Sequence, residues 1–201
     1  MLPLFCAGHW SYPGENAYCL NRLLSRRYMN KAQPPVETDY KNKFNRRLWL
    51  EERRSDLRHY FDARNMVHGR LPTEPYWCVI PRTSLWQIPS LGTPGFDGWF
   101  GIAGDHPTDI APLNYFSGGD PRAILDHFVA KWLRAASYLK AGDDYGDFRI
   151  AHIEQRPAIG SLIEDRANRL KRWVDSEHLW THVAVNPTLP IDEPESPAEP
   201  E

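Results

Sequence analysis

Glycine and proline interrupt the stretch 76–109, YWCVIPRTSLWQIPSLGTPGFDGWFGIAGDHPTD, so often that it can contain only short regular segments. Three of the eight tryptophans stand in this stretch, among other aromatic and β-branched residues. Such residues between breaks are typical of strands joined by turns. We expect strands at residues 76–80, 84–88 and 98–103, with Trp77, Trp86 and Trp99 on one face of the sheet.

Before these strands, apolar residues recur at helical spacing and predict a first helix over residues 41–67. Its apolar side is expected to carry Phe44, Leu48 and Leu57, and Gly69 is a natural residue to follow its end.

After the strands, Asp120 and Pro121 form a strong helix start, and Gly142 predicts where that second helix stops. A further strand is expected at residues 148–153 and a third helix at 159–180. This order predicts an α+β fold, in which a small antiparallel sheet of three to four strands packs one face against three helices.

The chain divides into three regions by composition. Residues 1–40 are expected to form an irregular extension with a short basic helix at 20–31, which suits either a membrane surface or a peripheral position. Residues 41–185 are expected to form one domain. Residues 186–201 hold five prolines and five acidic residues with no Lys or Arg, and this composition predicts a disordered tail.

Charge, cysteine content and hydropathy favour a cytoplasmic protein that binds neither nucleic acid nor a membrane. The whole chain has 24 Lys and Arg against 26 Asp and Glu, and residues 1–185 alone carry +3, too little to predict binding to nucleic acid. Three cysteines do not make a disulfide framework, and Cys78 stands in an apolar run that predicts burial. No run of apolar residues is long enough to predict a membrane helix.

The polar corner Gly104-Asp105-His106-Pro107-Thr108-Asp109 is the candidate catalytic cluster. Asp105, His106 and Asp109 have the groups needed for a base with its orienting partner, or for metal ligands. The alternative is that both aspartates accept hydrogen bonds from backbone N–H groups in a tight turn. His68 is a weaker candidate, because a cation is also favoured at a helix C-terminus.

Other chemical motifs are absent from the sequence. There is no nucleophile elbow, no phosphate-binding glycine loop and no zinc-binding pattern, so no cofactor or metal is predicted. Trp77, Trp86 and Trp99 are candidate binding residues if one face of the sheet is uncovered, since exposed tryptophans dominate protein interfaces. Otherwise they belong to the core.

From residue 48 to residue 180 the chain resembles an uncharacterised family of small bacterial proteins, known only as a domain of unknown function. The resemblance rests on motifs in a fixed order: Ser84-x-Trp86-x-Ile88, Gly95-x-x-Gly98-Trp99, Gly104-Asp105-x-Pro107-Thr108-Asp109, Pro121-Arg122 with Trp132, and Phe148-Arg149-Ile150. It implies a fold and no activity. It also implies that the position of His106 is often apolar in relatives.

The resemblance implies a bacterial source. The patterns themselves predict a cytoplasmic protein that binds another protein, in the manner of an immunity or regulatory factor, rather than an enzyme. The alternative is a small hydrolase or metal-dependent enzyme that uses Asp105 and Asp109.

Overall fold

The computed structural model describes residues 38–91, 94–146, 148 and 153–183. The predicted basic helix at 20–31 and the acidic tail lie outside these ranges. The described chain forms, in order, α1 (Lys43–Asp62), β1 (Trp77–Val79), β2 (Thr83–Pro89), β3 (Gly98–Gly104), β4 (Asp109–Pro112), α2 (Pro121–Lys140), α3 (Arg156–Asp175) and α4 (Glu177–Val183). Short 3-10 turns lie at Leu113–Tyr115 and Ile153–Gln155.

The four strands form one antiparallel sheet in the order β1-β2-β3-β4, so each strand pairs with its neighbour in sequence. The predicted α+β class is confirmed. The pairing places Leu85 opposite Ile102, and Ile102 opposite Asp109 on the edge strand β4. Asp109 therefore shares a sheet face with two apolar residues.

Helices cover both faces of the sheet. Leu85 and Ile102 point to a core shared with α2 and α3, whereas Trp86 and Ile88 point to a second core shared with Leu57 of α1. The expectation that all helices pack on one face was wrong. The reason is that the strands are apolar on both faces, which is typical of a sheet buried between two layers.

The three strand tryptophans divide between these two cores, so the expectation of a shared face was also wrong. Trp77 pairs with Leu85 and lies on the α2–α3 side. Trp86 lies one residue further along β2, and because side chains alternate along a strand it lies on the α1 side, together with Trp99.

Helix α1 is shorter than predicted at both ends. The Asn42 side chain accepts a hydrogen bond from the N–H of Phe44 at 2.8 Å and caps the start. The helix ends at Asp62, and Asn65 follows it with a left-handed φ of 50°. Asn tolerates this conformation better than other non-glycine residues, so it ends the helix ahead of Gly69.

Two apolar residues of α1 face away from the sheet. Phe44 is 71% exposed and Leu48 is 52% exposed, although both were expected on the apolar side with Leu57. Leu57 is fully buried, as is Phe61 one turn later. Residues four apart share a helix face, so Phe44 and Leu48 form an outward pair that we call the α1 apolar pair.

The fourth strand lies in a different place from the one predicted. It is β4, directly after the polar corner, whereas at the predicted position Phe148 makes an isolated bridge to Tyr145. The rest of the predicted strand, residues 149–152, lies outside the described residues. β4 has only four residues and lies between Pro107 and the 3-10 turn. A segment this short shows too little alternation of apolar and polar residues to distinguish a strand from a turn.

The C-terminal helices follow the sequence closely up to one break. The Asp120 side chain caps α2 by accepting from the N–H of Arg122 at 3.0 Å, and Gly142 ends it with a φ of 91°. The predicted third helix is interrupted at Ser176, so that α4 turns back and stacks Trp180 on Trp77 with 5.5 Å between ring centroids. Within the described ranges, no helix is long and apolar enough to cross a membrane.

Candidate functional site

The polar corner connects β3 to β4 at the edge of the sheet. Asp105 and His106 lie in the turn, and Asp109 is the first residue of β4. Gly104 is required immediately before the turn, because a Cβ at this position would lie 2.1 Å from the carbonyl oxygen of Arg82. This close approach brings the turn between β1 and β2 against the corner, and the N–H of Asp105 donates to that same oxygen at 2.8 Å.

Asp109 is a buried carboxylate with donors on every side, and it is 3% exposed over its side chain. The Tyr60 hydroxyl donates to Oδ1 at 3.0 Å and the N–H of Ile110 donates to the same oxygen at 2.9 Å. The Lys131 ammonium lies 2.8 Å from each carboxylate oxygen. The indole N–H of Trp132 donates to Oδ2 at 3.0 Å.

These contacts occupy the hydrogen-bonding capacity of the carboxylate, which has about four lone-pair sites. A general base needs a lone pair that reaches a substrate proton, and a metal ligand needs one that reaches the ion. On Asp109 those positions are taken by Tyr60, Lys131, Trp132 and its own strand. The arrangement therefore suits a fixed structural ion pair rather than a reacting group.

His106 is buried beside this ion pair. Its Nε2 lies 2.6 Å from the Thr83 hydroxyl, its Nδ1 lies 3.2 Å from the Pro107 carbonyl oxygen, and its ring lies 5.1 Å from the Trp132 ring. The carbonyl can only accept, so Nδ1 carries the proton and Nε2 accepts from Thr83. Burial lowers the pKa of His106 to about 4, and the ring is neutral at neutral pH.

Asp105 faces the outside of the corner and is partly exposed. Its carboxylate pairs with the guanidinium of Arg82 at 3.2 Å. Asp105 thus links the turn before β2 to the turn after β3, while Asp109 links β4 to α1 and α2. The two aspartates are close in sequence, but the partners of their carboxylates come from different elements.

The remaining candidates lie outside the corner. His68 follows the end of α1, against the expectation that it sits at the helix C-terminus, and it packs its ring 4.4 Å from Phe61. Its Nδ1 lies 2.6 Å from the Gly69 carbonyl oxygen. Cys78 is fully buried, as predicted, and burial raises its pKa to about 11, so it is a thiol at neutral pH.

No group of three or more His, Cys, Asp or Glu side chains able to hold a metal ion occurs among residues 38–91, 94–146, 148 and 153–183.

The candidate binding tryptophans are packed into the two cores. Trp77 and Trp86 are fully buried, and the Trp86 indole N–H donates to the Ser84 hydroxyl at 2.8 Å. Trp99 is half-buried between Phe61 and Phe96, at 5.3 and 4.9 Å. A binding surface made of exposed tryptophans would require an uncovered sheet face, and α1 covers the face that holds Trp86 and Trp99.

Sequence reasoning missed three of the residues that surround Asp109. Helical periodicity groups Tyr60 and Trp132 with the apolar residues of their helices, but it says nothing about where a hydroxyl or an indole N–H points. Lys131 carried a signal that could have found it, because it lies between the buried residues Val129 and Trp132 of α2. A lysine beside such positions is a candidate partner for a buried acid.

A protein-family model described as a domain of unknown function, DUF4826, matches residues 43–180. The match covers well over half of the chain, so the chain belongs to that family. It runs from the start of α1 to Trp180 and includes every residue of the corner. Neither a curated protein nor a solved structure matches the chain.

The variant Asp109→Asn tests the role of the buried carboxylate. It keeps the shape of the side chain, removes the negative charge and puts an NH2 group among existing donors. We expect the free energy of unfolding to fall by about 3 kcal/mol, since Lys131 loses its counter-ion and buried donors lose acceptors. Urea denaturation followed by tryptophan fluorescence measures the change.

The matched control is Asp105→Asn, the same chemical change four residues earlier. Its ion pair with Arg82 is partly exposed, so we expect a loss below about 1 kcal/mol. Similar losses in the two variants would contradict the different roles of the two aspartates.

His106 predicts a specific pH dependence of stability. Because its pKa is lowered to about 4 in the folded chain from an ordinary 6.5, the unfolded chain binds an extra proton between these values. The contribution of His106 is therefore constant above pH 6.5, and stability falls as the pH drops toward 4, by about 3 kcal/mol over the window.

Unfolding free energies measured from pH 7.5 to 4.5 for the parent and for His106→Gln isolate this contribution. The parent is expected to lose more stability than the variant as the pH falls. Parallel curves, or an imidazole NMR titration of His106 centred near its ordinary pKa, would rule out a neutral buried ring.

Proposed function

We propose that this DUF4826 protein is a bacterial cytoplasmic accessory factor that acts by binding another protein, as an immunity or regulatory factor does, and not by catalysis. The saturated carboxylate of Asp109 carries the proposal. The cluster with the best catalytic composition in the sequence uses its buried acid to hold α1 and α2 together.

The neighbours of Asp109 support the same proposal. His106 is neutral, buried and bonded to Thr83, so it has no free nitrogen directed at a substrate. Asp105 is neutralised by Arg82 at the surface. A catalytic pair needs a base within hydrogen-bonding reach of the group that it activates. In the polar corner, the side-chain atoms that could act as a base already bond to other residues of the protein.

The α1 apolar pair, Phe44 and Leu48, is the surface that we assign to the partner. Both side chains are more than half exposed and lie on one face of the helix. Exposed charged residues, Arg47 and Glu51, flank them. Apolar anchors with a polar rim are the usual composition of a protein interface, and a few such anchors supply most of its affinity.

The second candidate, a small hydrolase or metal-dependent enzyme that uses Asp105 and Asp109, ranks lower. It would depend on Asp105 alone, because the oxygens of Asp109 already accept from Tyr60, Lys131 and Trp132. An enzyme of this kind would lose its activity in Asp105→Asn with little loss of stability.

Affinity capture from the native host tests the proposal with three baits: the parent chain, Phe44→Ser/Leu48→Ser, and the control Val67→Ser/Ile153→Ser. The control also removes two exposed apolar side chains, but from positions outside α1. We expect one protein to bind the parent and the control, and to lose about tenfold or more of its affinity for the α1 variant, measured with purified components.

Two outcomes contradict the proposal. Equal binding of the partner to all three baits would exclude the α1 surface. Absence of any partner, together with turnover of a small molecule that disappears in Asp105→Asn, would favour the enzyme.

A further inference from the structure

Beside the α1 apolar pair, helix α1 carries a second exposed pair of residues, which is basic. Lys43 and Arg47 are four residues apart, as Phe44 and Leu48 are, so the two pairs form adjacent rows along the first turns of the helix. All four residues are exposed. We call Lys43 and Arg47 the α1 basic pair.

The positive charge of the α1 basic pair is not balanced by the rest of the helix. Residues 43–50 contain no Asp or Glu. Glu51, the first acid along the helix, has both carboxylate oxygens bonded to Arg54, at 2.9 and 2.8 Å. In the part of the chain that the structure describes, neither Lys43 nor Arg47 has an acidic partner.

The one acid that precedes the helix is Asp39, and it does not neutralise the pair. Its Oδ1 accepts from the backbone N–H of Lys41 at 2.9 Å, and its backbone oxygen accepts from the Asn45 side-chain amide at 2.8 Å. Lys41 and Arg46 add two further cations, so residues 38–50 hold four basic residues against one acidic residue. The start of α1 is therefore an apolar surface with a net positive charge.

This charge does not favour the folding of α1. The start of a helix is the positive end of its dipole, so positive side chains in the first turn are unfavourable. Trp49 and Leu50 anchor the same part of the helix in the core, and the Asn42 side chain caps its start. Packing and capping thus hold these turns despite their charge, and a negatively charged ligand would relieve the repulsion.

We propose that the partner of the α1 apolar pair is a protein that presents an acidic segment. Apolar side chains of this segment pack on Phe44 and Leu48, and carboxylates beside them pair with the α1 basic pair. A carboxylate can accept two parallel hydrogen bonds from the Arg47 guanidinium, so the contact fixes orientation as well as matching charge. The inference rests on the proposed function, because it gives the chemistry of the partner for the surface assigned there.

The rest of the exposed face of α1 favours a protein segment over an anionic membrane. A helix that lies in a membrane surface embeds an apolar face along its length and carries Lys and Arg on its polar face. On α1, the face that begins with Phe44 and Leu48 continues with exposed Glu51 and ends with exposed Asp62. Anionic lipid headgroups would repel these two acids, whereas a short protein segment needs to cover only the first turns.

The kinetics of binding to the partner captured by the parent chain test the inference. Lys43→Gln/Arg47→Gln removes the positive charge and keeps the α1 apolar pair. We expect its association rate constant with the purified partner to be about tenfold lower at low salt, since charges at the rim of an interface steer the encounter. Added salt should slow association of the parent chain and have little effect on the variant, because salt screens exposed charges.

The matched control is Arg169→Gln/Arg172→Gln, which removes the same charge from two exposed arginines of α3, in the layer on the other side of the sheet. It should associate like the parent chain. Circular dichroism spectra like that of the parent show that both variants are folded.

Carbodiimide cross-linking tests the chemistry of the partner directly, because the reagent joins a lysine amine to a carboxylate in contact with it. In the complex of the parent chain, we expect mass spectrometry to find Lys43 joined to an Asp or Glu of the partner that has an apolar residue within one helical turn. Lys171 of α3, whose ammonium pairs with Asp175 at 2.9 Å, should form no link to the partner.

The outcomes separate this inference from the proposed function. A partner that loses affinity for Phe44→Ser/Leu48→Ser but associates with Lys43→Gln/Arg47→Gln as fast as with the parent overturns the acidic segment and leaves the proposed function standing. An equal loss in the α3 control also overturns it, since net charge alone would then be responsible. Capture of no partner overturns both proposals. So does sedimentation of the parent chain with phosphatidylserine vesicles that depends on both α1 pairs, because the ligand of the surface would then be a membrane.

Discussion

The buried carboxylate of Asp109 is the constraint on which the rest of the structure depends. A carboxylate removed from water is strongly unfavourable unless hydrogen bonds and an opposite charge replace its hydration. The replacement comes from α1 through Tyr60, from α2 through Lys131 and Trp132, and from β4 through Ile110. The folded chain can bury this charge only when both helix layers are in place against the edge of the sheet.

This arrangement also explains why the polar corner is a poor catalytic site. The polar side chains that suggested a reaction are used to position parts of the fold. Asp109 binds α1 and α2, His106 hydrogen-bonds to Thr83, and Asp105 pairs with Arg82. The exposed surface of α1 carries the α1 apolar pair. This is why the proposed function is recognition of another protein through that surface.

Local signals predicted much of the fold. Asp120, Pro121 and Gly142 bound α2 as expected, because caps depend on residue type and on adjacent backbone. The three tryptophan strands were found because glycine and proline limit them. The end of α1 was misplaced, since Asn65 took a left-handed conformation that was expected of Gly69. The faces of α1 were misassigned because Phe44 and Leu48 are apolar but do not face the core.

The site was less accessible to sequence reasoning. The sequence identified Asp105, His106 and Asp109 as a polar cluster. The role of the cluster, however, depends on hydrogen-bond donors from distant parts of the chain. Tyr60 and Lys131 lie 49 and 22 residues from Asp109, and only the packed layers bring them to one carboxylate. Strand β4 was missed for a related reason, since its identity comes from pairing with β3 rather than from its own residues.

A double-mutant cycle between Tyr60→Phe and Lys131→Met tests most directly whether Asp109 joins the two helix layers. Tyr60 and Lys131 belong to different helices, and both donate to Oδ1 of the same carboxylate. We predict that their effects on the free energy of unfolding are non-additive by about 0.5 kcal/mol or more, as for residues that share one partner. Effects that add to within about 0.3 kcal/mol would mean that the two helices do not meet at Asp109, and would contradict the account.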